Sequence, residues 1–300
     1  MAQIPNDSIW WPSKWGSEDQ RGAANYITPE KILEATSLIK KGQVYELGRV
    51  YEQDMPLLGS RHYKLTLKGL PGSGPTGDHQ VVYNSELISG ELGQVGTQFD
   101  GLGHVGTHVN GENIFYNGFK LSEFGTSGGL TKLGIENVGT IFTRGVLLDI
   151  AKYKNVKQLD STYIISVADI EGTLTKQNVK ITEGDVVLFH TGWGQLWMRD
   201  NEKYGRSEPG PGITAIKWLI EKGIVMTGAD NWGVEAIPGE DPNRIGEGHQ
   251  WLMNRNGVYN LENLDLSSLA VDNVYEFAFI FVPLKLKGAT GSPGNPIAIR

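Results

Sequence analysis

The stretch Gly93–Gly111, GQVGTQFDGLGHVGTHVNG, spells Gly-Thr twice, ten residues apart. Gln98-Phe99-Asp100 follows the first, His108-Val109-Asn110 the second, and His104 stands between them. On an extended chain Gln94, Gln98 and Asp100 share parity and so one face. The turn Gly101-Leu102-Gly103 then brings His104 back toward Asp100. A carboxylate and an imidazole held by a glycine-rich turn are either a pair of metal ligands or a hydrogen-bonded Asp–His pair at a strand edge. Spacing alone leaves both open.

Outward from this stretch, strands and helices interleave. YITPEKILEATSLIKKG (26–42) reads as a helix, with Thr28 as cap, Pro29 at the first helical position and Gly42 at the end. QVYELGRVYEQDMP, ending before Pro56, reads as a strand. Residues 57–80, rich in Gly and Pro, read as a long loop that covers a site. GTIFTRGVLLDIAKY is strand-like, a helix starts near Ser166, and GDVVLFHTGW is a buried strand. TAIKWLIEKGIVMTGAD is a helix, a glycine stop and a strand ending at Asp230. HQWLMNRNG begins as a helix that Gly257 ends, and VYEFAFIFVPLKL is a long apolar strand. No low-complexity linker divides the chain. The expected architecture is one α/β domain with mixed sheets over 1–300, with 1–44 an N-terminal arm and helix.

Composition narrows the function. The net charge of −7, with no Lys/Arg cluster, argues against a nucleic-acid binder, which needs a basic face. With no Cys, thiolate metal sites, disulfides and a Cys nucleophile are excluded. The N-terminus lacks a basic start followed by an apolar run, and no apolar stretch is long enough for a bilayer. The expectation is a cytoplasmic protein with no membrane partner. No Gly-x-Ser-x-Gly elbow or phosphate loop appears. A metal site would draw on the six His plus Asp and Glu.

Gln94-Val95-Gly96-Thr97-Gln98-Phe99-Asp100-Gly101-Leu102-Gly103-His104 resembles the motif His-x-Gly-Thr-His-x-Asp-x-x-x-His. That motif belongs to the cyclase-like metal-dependent hydrolases, which include bacterial kynurenine formamidase and isatin hydrolase. Here Gln replaces His at the first two positions. GDVVLFHTGW, HQWLMNRNGVYNLENL and KGATGSPGNPIAI are also similar to family segments, in the right order, so the likeness runs over roughly residues 45–300. The resemblance implies a swivelling β/β/α fold, homodimers or homotetramers, and one or two divalent ions, commonly Zn or Mn. It implies hydrolysis of an amide, lactam or lactone-type bond in a small cyclic or N-acyl substrate. In that chemistry the ion polarises a carbonyl and activates a water.

By the same resemblance, Asp100, His104, His249 and Glu262 fill one ligand set, while Gln94 and Gln98 put the family's other ion in doubt. Glutamine offers a neutral carbonyl oxygen, a weaker ligand than imidazole. The expectation is one Mn or Zn per chain on these four residues, with Gln98 at its edge, and His104, His249 and Glu262 in the proton chemistry. The rival register, His104-Val105-Gly106-Thr107-His108-Val109-Asn110, keeps both leading His but has no carboxylate. His108 is then a substrate contact or a surface-loop His. Gln94, His62 and Trp193 are further candidate substrate contacts. Asp230 and Glu235 follow a strand; Asp230 supports the ligands from outside or caps a turn. His190 reads as a satisfied core His, and His79 as a loop residue. WWPSKW is either a lid over an apolar substrate or an arm packing on another subunit. Alternatives to hydrolysis are a metal-dependent lyase, dehydratase or cyclase on the same scaffold, and a catalytically inactive binding homologue.

Overall fold

The first helix forms where its end signals stand. In the computed structural model, which describes residues 9–300 apart from the side chains of 69–72, α1 spans Pro29–Ser37. Thr28 Oγ1 accepts the Lys31 N–H at 3.2 Å, and Pro29 sits in the first turn, where its missing N–H costs nothing. The helix stops at Ser37, short of Gly42. It docks through Lys31, whose Nζ lies 2.6 Å from Asp185 Oδ1, while Arg144 holds the other oxygen at 2.6 Å.

Of the strand expected next, only β1, Val44–Glu46, forms. Residues 57–80 correct the loop reading more sharply. β2 (Tyr63–Thr76) and β3 (Val81–Gly90) pair antiparallel as a long hairpin, with His79 in its turn. The Gly and Pro residues fall where the register shifts, between Lys68 and Ser73 and between Ser73 and Thr76. Such irregularities accommodate residues that cannot join the ladder.

Four two-residue strands aside, the remaining strands are β4 (Gln98–Asp100), the small hairpin β5 (Thr107–Val109) and β6 (Glu112–Ile114), β7 (Ile141–Asp149), β8 (Val186–His190), β9 (Met226–Ala229), β10 (Tyr259–Glu262), β11 (Glu276–Phe281), β12 (Gly291–Pro293) and β13 (Ile297–Ile299). One nine-stranded mixed sheet runs β1-β13-β11-β7-β8-β9-β10-β4-β12. Its middle, β7 to β10, is parallel and in chain order. Crossovers carry α2 (Val167–Gln177) and α3 (Ile213–Glu221). Ser166 and Asp169 cap α2 reciprocally, Ser166 Oγ on the Asp169 N–H and Asp169 Oδ2 on the Ser166 N–H. β7 and β8 are buried on both faces, which explains their continuous apolar runs. The fold is the α/β class with mixed sheets that the sequence led us to expect.

The N-terminal aromatics pack on their own chain. The Arg255 guanidinium lies over the Trp10 ring at 4.7 Å, and Asn117 Nδ2 donates to the carbonyls of Gly16 and Asp19 at 2.8 and 3.0 Å.

Candidate metal centre

β4 and β10 lie antiparallel, with Asp100 opposite Asn260 and Gln98 opposite Glu262. Opposed residues share a face, and so do residues two apart. Four polar side chains therefore project from one patch of sheet, while Phe99 and Leu261 turn to the other face and are fully buried. His249 reaches the patch from a different element. It ends a short α-helical turn, Glu247–His249, that widens into a π-helical segment, Gln250–Arg255. Widened turns of this kind are frequent at functional sites.

Asp100, His249 and Glu262 each bring one ligand atom to a common point, all within 4.8 Å of one another. His249 Nε2 is 3.2 Å from Glu262 Oε1 and 3.9 Å from Asp100 Oδ2. Asp100 is fully buried, yet its Oδ2 has no hydrogen-bond partner among the described residues. An orphaned buried carboxylate oxygen beside an imidazole and a second carboxylate fits a divalent cation, which would satisfy all three. His104 stands at the edge, its Nε2 3.9 Å from Asp100 Oδ1 and outside the tight group.

The glutamines act on the carboxylates. Gln98 Nε2 donates to Glu262 Oε2 at 2.7 Å and to Gln94 Oε1 at 3.3 Å, and Gln94 Nε2 donates to Asp100 Oδ1 at 3.2 Å. The two amides thus form a chain that holds both acids. Asn260 adds Nδ2 at 3.1 Å from His249 Nε2, and its own Oδ1 accepts from Thr227 Oγ1 at 2.7 Å.

Glu235 is the support that orients His249. It accepts the N–H groups of Gly248 and His249 at 2.8 and 3.0 Å and bonds His249 Nδ1. This leaves Nε2 for the cluster, as an outer carboxylate does behind a ligating histidine. Asp230 has the other role weighed for it. It anchors the Thr191–Gly194 turn through the backbone N–H of Thr191, Gly192 and Gly194 and the Thr191 hydroxyl.

The charges explain the titration. Burial, and then the Asp100 charge, push Glu262 up to about 8. Burial works against a charged His249, but hydrogen bonds to Glu235 and Glu262 outweigh it and hold the ring well above its usual value. Partial burial lowers the His104 pKa and so favours its neutral imidazole. Glu208 is fully buried near this cluster; its Oε2 accepts the Trp232 N–H at 2.8 Å and its Oε1 has no partner among the described residues. Burial pushes it well above the usual carboxylate range. Nothing in motif or spacing marks Glu208 or Asn260; both enter through tertiary contact.

The other candidates lie apart. His108, exposed on the β5–β6 hairpin, bonds Asn113 Oδ1 at 2.7 Å. His62 is exposed and bonds Glu91 and Ser89 at the base of the long hairpin. Trp193 is fully buried in an aromatic cluster with Met55, Tyr63, Trp197 and Tyr204, its Nε1 donating to the Tyr204 carbonyl at 3.2 Å. His190 is paired as a core His would be, but it also borders a cavity.

Comparison with known proteins agrees with this architecture. No curated protein matches the chain. A solved structure described as a novel cyclase is 34% identical, with a TM-score of 0.85, over 96% of this chain and 98% of that one. Isatin hydrolase A from Labrenzia aggregata, bound to benzyl benzoate, shares the fold at 20% identity and TM-score 0.63, over 90% of this chain and 97% of that one. A predicted metal-dependent hydrolase from Bacillus stearothermophilus does so at 20% identity and TM-score 0.54, over 85% and 97%. Residues 45–236 match the sequence profile of the family described as "Putative cyclase". With the profile spanning more than half its length and the novel cyclase alike from end to end, the chain belongs to that family.

Proposed function

We propose that the protein is a metal-dependent hydrolase of a small cyclic or N-acyl substrate, opening an amide, lactam or lactone-type bond. The observation that carries this is the convergence of Asp100, His249 and Glu262 around an unpartnered buried carboxylate oxygen. These three residues would hold one divalent ion, Mn or Zn, with His104 beside them at 3.9 Å from Asp100 Oδ1. When bound, the ion supplies Lewis acidity toward a carbonyl and acidifies water. Glu235 fixes the His249 ring, and Gln98 and Gln94 fix the two carboxylates, so the acids meet the ion preorganised. His104, whose pKa partial burial lowers, is the imidazole placed to accept a proton beside the cluster. The isatin hydrolase and metal-dependent hydrolase likenesses, at 20% identity, support the scaffold and are compatible with this chemistry.

The long hairpin supports self-association, as a homodimer or homotetramer. A two-stranded ribbon is marginal alone in water. This one exposes Leu65, Leu67, Val82 and Ile88, which alternation places on one face. Light scattering checks this reading, and a monomer at micromolar concentration contradicts it. Among the described residues no helix is long and apolar enough to cross a membrane.

The hydrolase reading is tested by elemental analysis of the purified protein together with turnover of formamides, lactams and lactones. Turnover removed by a chelator and restored by Mn or Zn is expected. A protein that binds no divalent ion tightly and turns over none of the panel refutes it.

A further inference from the structure

A second cavity, apart from the Asp100 cluster, carries polar groups with nothing to bind. It has a volume of about 190 Å³. His190 and Asp230 among its lining residues place it at the carboxyl ends of β8 and β9, the end of a parallel sheet where ligands collect. Asp149 sits beside His190 in the strand register and takes its Nδ1 at 2.7 Å. Asp149 holds that nitrogen and lines an adjoining hollow that shares His190, Gln195 and Ser267 with this cavity, while His190 Nε2 has no hydrogen-bond partner among the described residues. Arg49, Arg199 and Trp197 form further walls, the Trp197 ring 5.5 Å from Arg49 Cζ.

The carboxylates on this cavity are already committed. Asp230 accepts four hydrogen bonds from the Thr191–Gly194 turn. Asp265 takes Arg49 Nη1 at 3.4 Å and the Ser267 N–H at 3.1 Å, together with the Ser267 hydroxyl. The donors are not all committed. Arg49 Nη2 reaches the carbonyls of Gly194 and Leu264 at 3.2 and 2.9 Å, but its buried Nε–H has no partner among the described residues. The approach depends on Gly194, where a Cβ would lie 2.5 Å from Arg49 Nη2. Arg199 makes no side-chain hydrogen bond or ion pair among the described residues. What the cavity has left to offer is cationic and donating, a composition that selects an oxyanion.

We infer that this cavity is a second ligand site, separate from the metal centre, that binds a small molecule by a carboxylate or phosphate group held between His190, Arg49 and Arg199. Its volume, below the range of about 300–1,000 Å³ usual for drug-sized ligands, suits a small acid. The inference stands whether or not the hydrolase reading does.

The test is calorimetric titration of the full-length protein with inorganic phosphate and, separately, with malonate. Wild type, Arg199→Ala, His190→Gln and Asp100→Ala are compared. One of the two anions is expected to bind saturably at one site per chain, at least tenfold more weakly to Arg199→Ala and His190→Gln and unchanged to Asp100→Ala. Which anion binds tells phosphate from carboxylate. Arg199 is exposed, so its variant keeps the test decisive should His190→Gln fail to fold. No saturable binding of either anion overturns the inference, and so does binding that Asp100→Ala removes and Arg199→Ala leaves intact.

Discussion

The two Gly-Thr segments that resemble each other in spelling have opposite fates. Gly96-Thr97-Gln98-Phe99-Asp100 enters the nine-stranded sheet as β4, where Asp100 is fully buried beside Glu262 and His249. Gly106-Thr107-His108-Val109-Asn110 enters a two-stranded hairpin, where His108 is exposed and, among the described residues, bonds only a neighbouring Asn113. The segment with the family's histidines lacks the acid and the burial. The segment with glutamines has both. A site of this kind is made by a carboxylate placed where distant ligands can complete it: of the second segment's two leading histidines, His104 stands at the edge of that cluster and His108 is turned away on the hairpin.

The comparison breaks most readily at Asp100. Asp100→Ala removes the central acid, and isothermal titration with Mn or Zn is expected to show a loss of at least about 100-fold in affinity, since losing an outer partner alone costs about 10–100-fold. Glu235→Gln belongs in that lower range. It keeps the shape but weakens the hold on His249, so affinity falls about 10–100-fold with circular dichroism unchanged. Acidity acts on the same acids. Glu262 titrates near 8 in the metal-free fold against 4.5 unfolded, so across that window the folded protein keeps a proton that the unfolded chain has lost. Metal-free stability therefore falls as pH rises from about 4.5 to 8, while metal uptake, which competes with that proton, strengthens. Melting temperatures with and without the ion should show these opposite slopes. At the weak end, His108→Ala is expected to leave ion affinity unchanged and stability within about 0.5 kcal/mol by denaturant melts. A large effect there would revive the second segment as a functional copy.

Local signals were legible wherever one residue acts on its neighbours. Thr28 and Pro29 start α1, Ser166 caps α2, and the apolar runs of β7, β8 and β11 are buried strands. Family likeness pointed to Asp100 and His104, where this chain keeps the motif, and to His249 and Glu262 in the late segment; the fold brings Asp100, His249 and Glu262 together and leaves His104 at their edge. The hairpin at Tyr63–Gly90 was not, because Gly and Pro signal loops and only the structure shows register shifts absorbing them. The His190–Asp149 pair was hidden for another reason. Its partners are 41 residues apart and meet only because β7 and β8 lie in one parallel register. Asn260 is similar: its place in the cluster follows from pairing with Asp100 across strands, which no local pattern announces.

Anomalous diffraction from crystals grown with Mn, recorded on both sides of the Mn edge, tests the central claim most directly. The account predicts one peak per chain, about 2.0–2.2 Å from ligand atoms of Asp100, His249 and Glu262. An empty map there, or a peak at His108 instead, contradicts it.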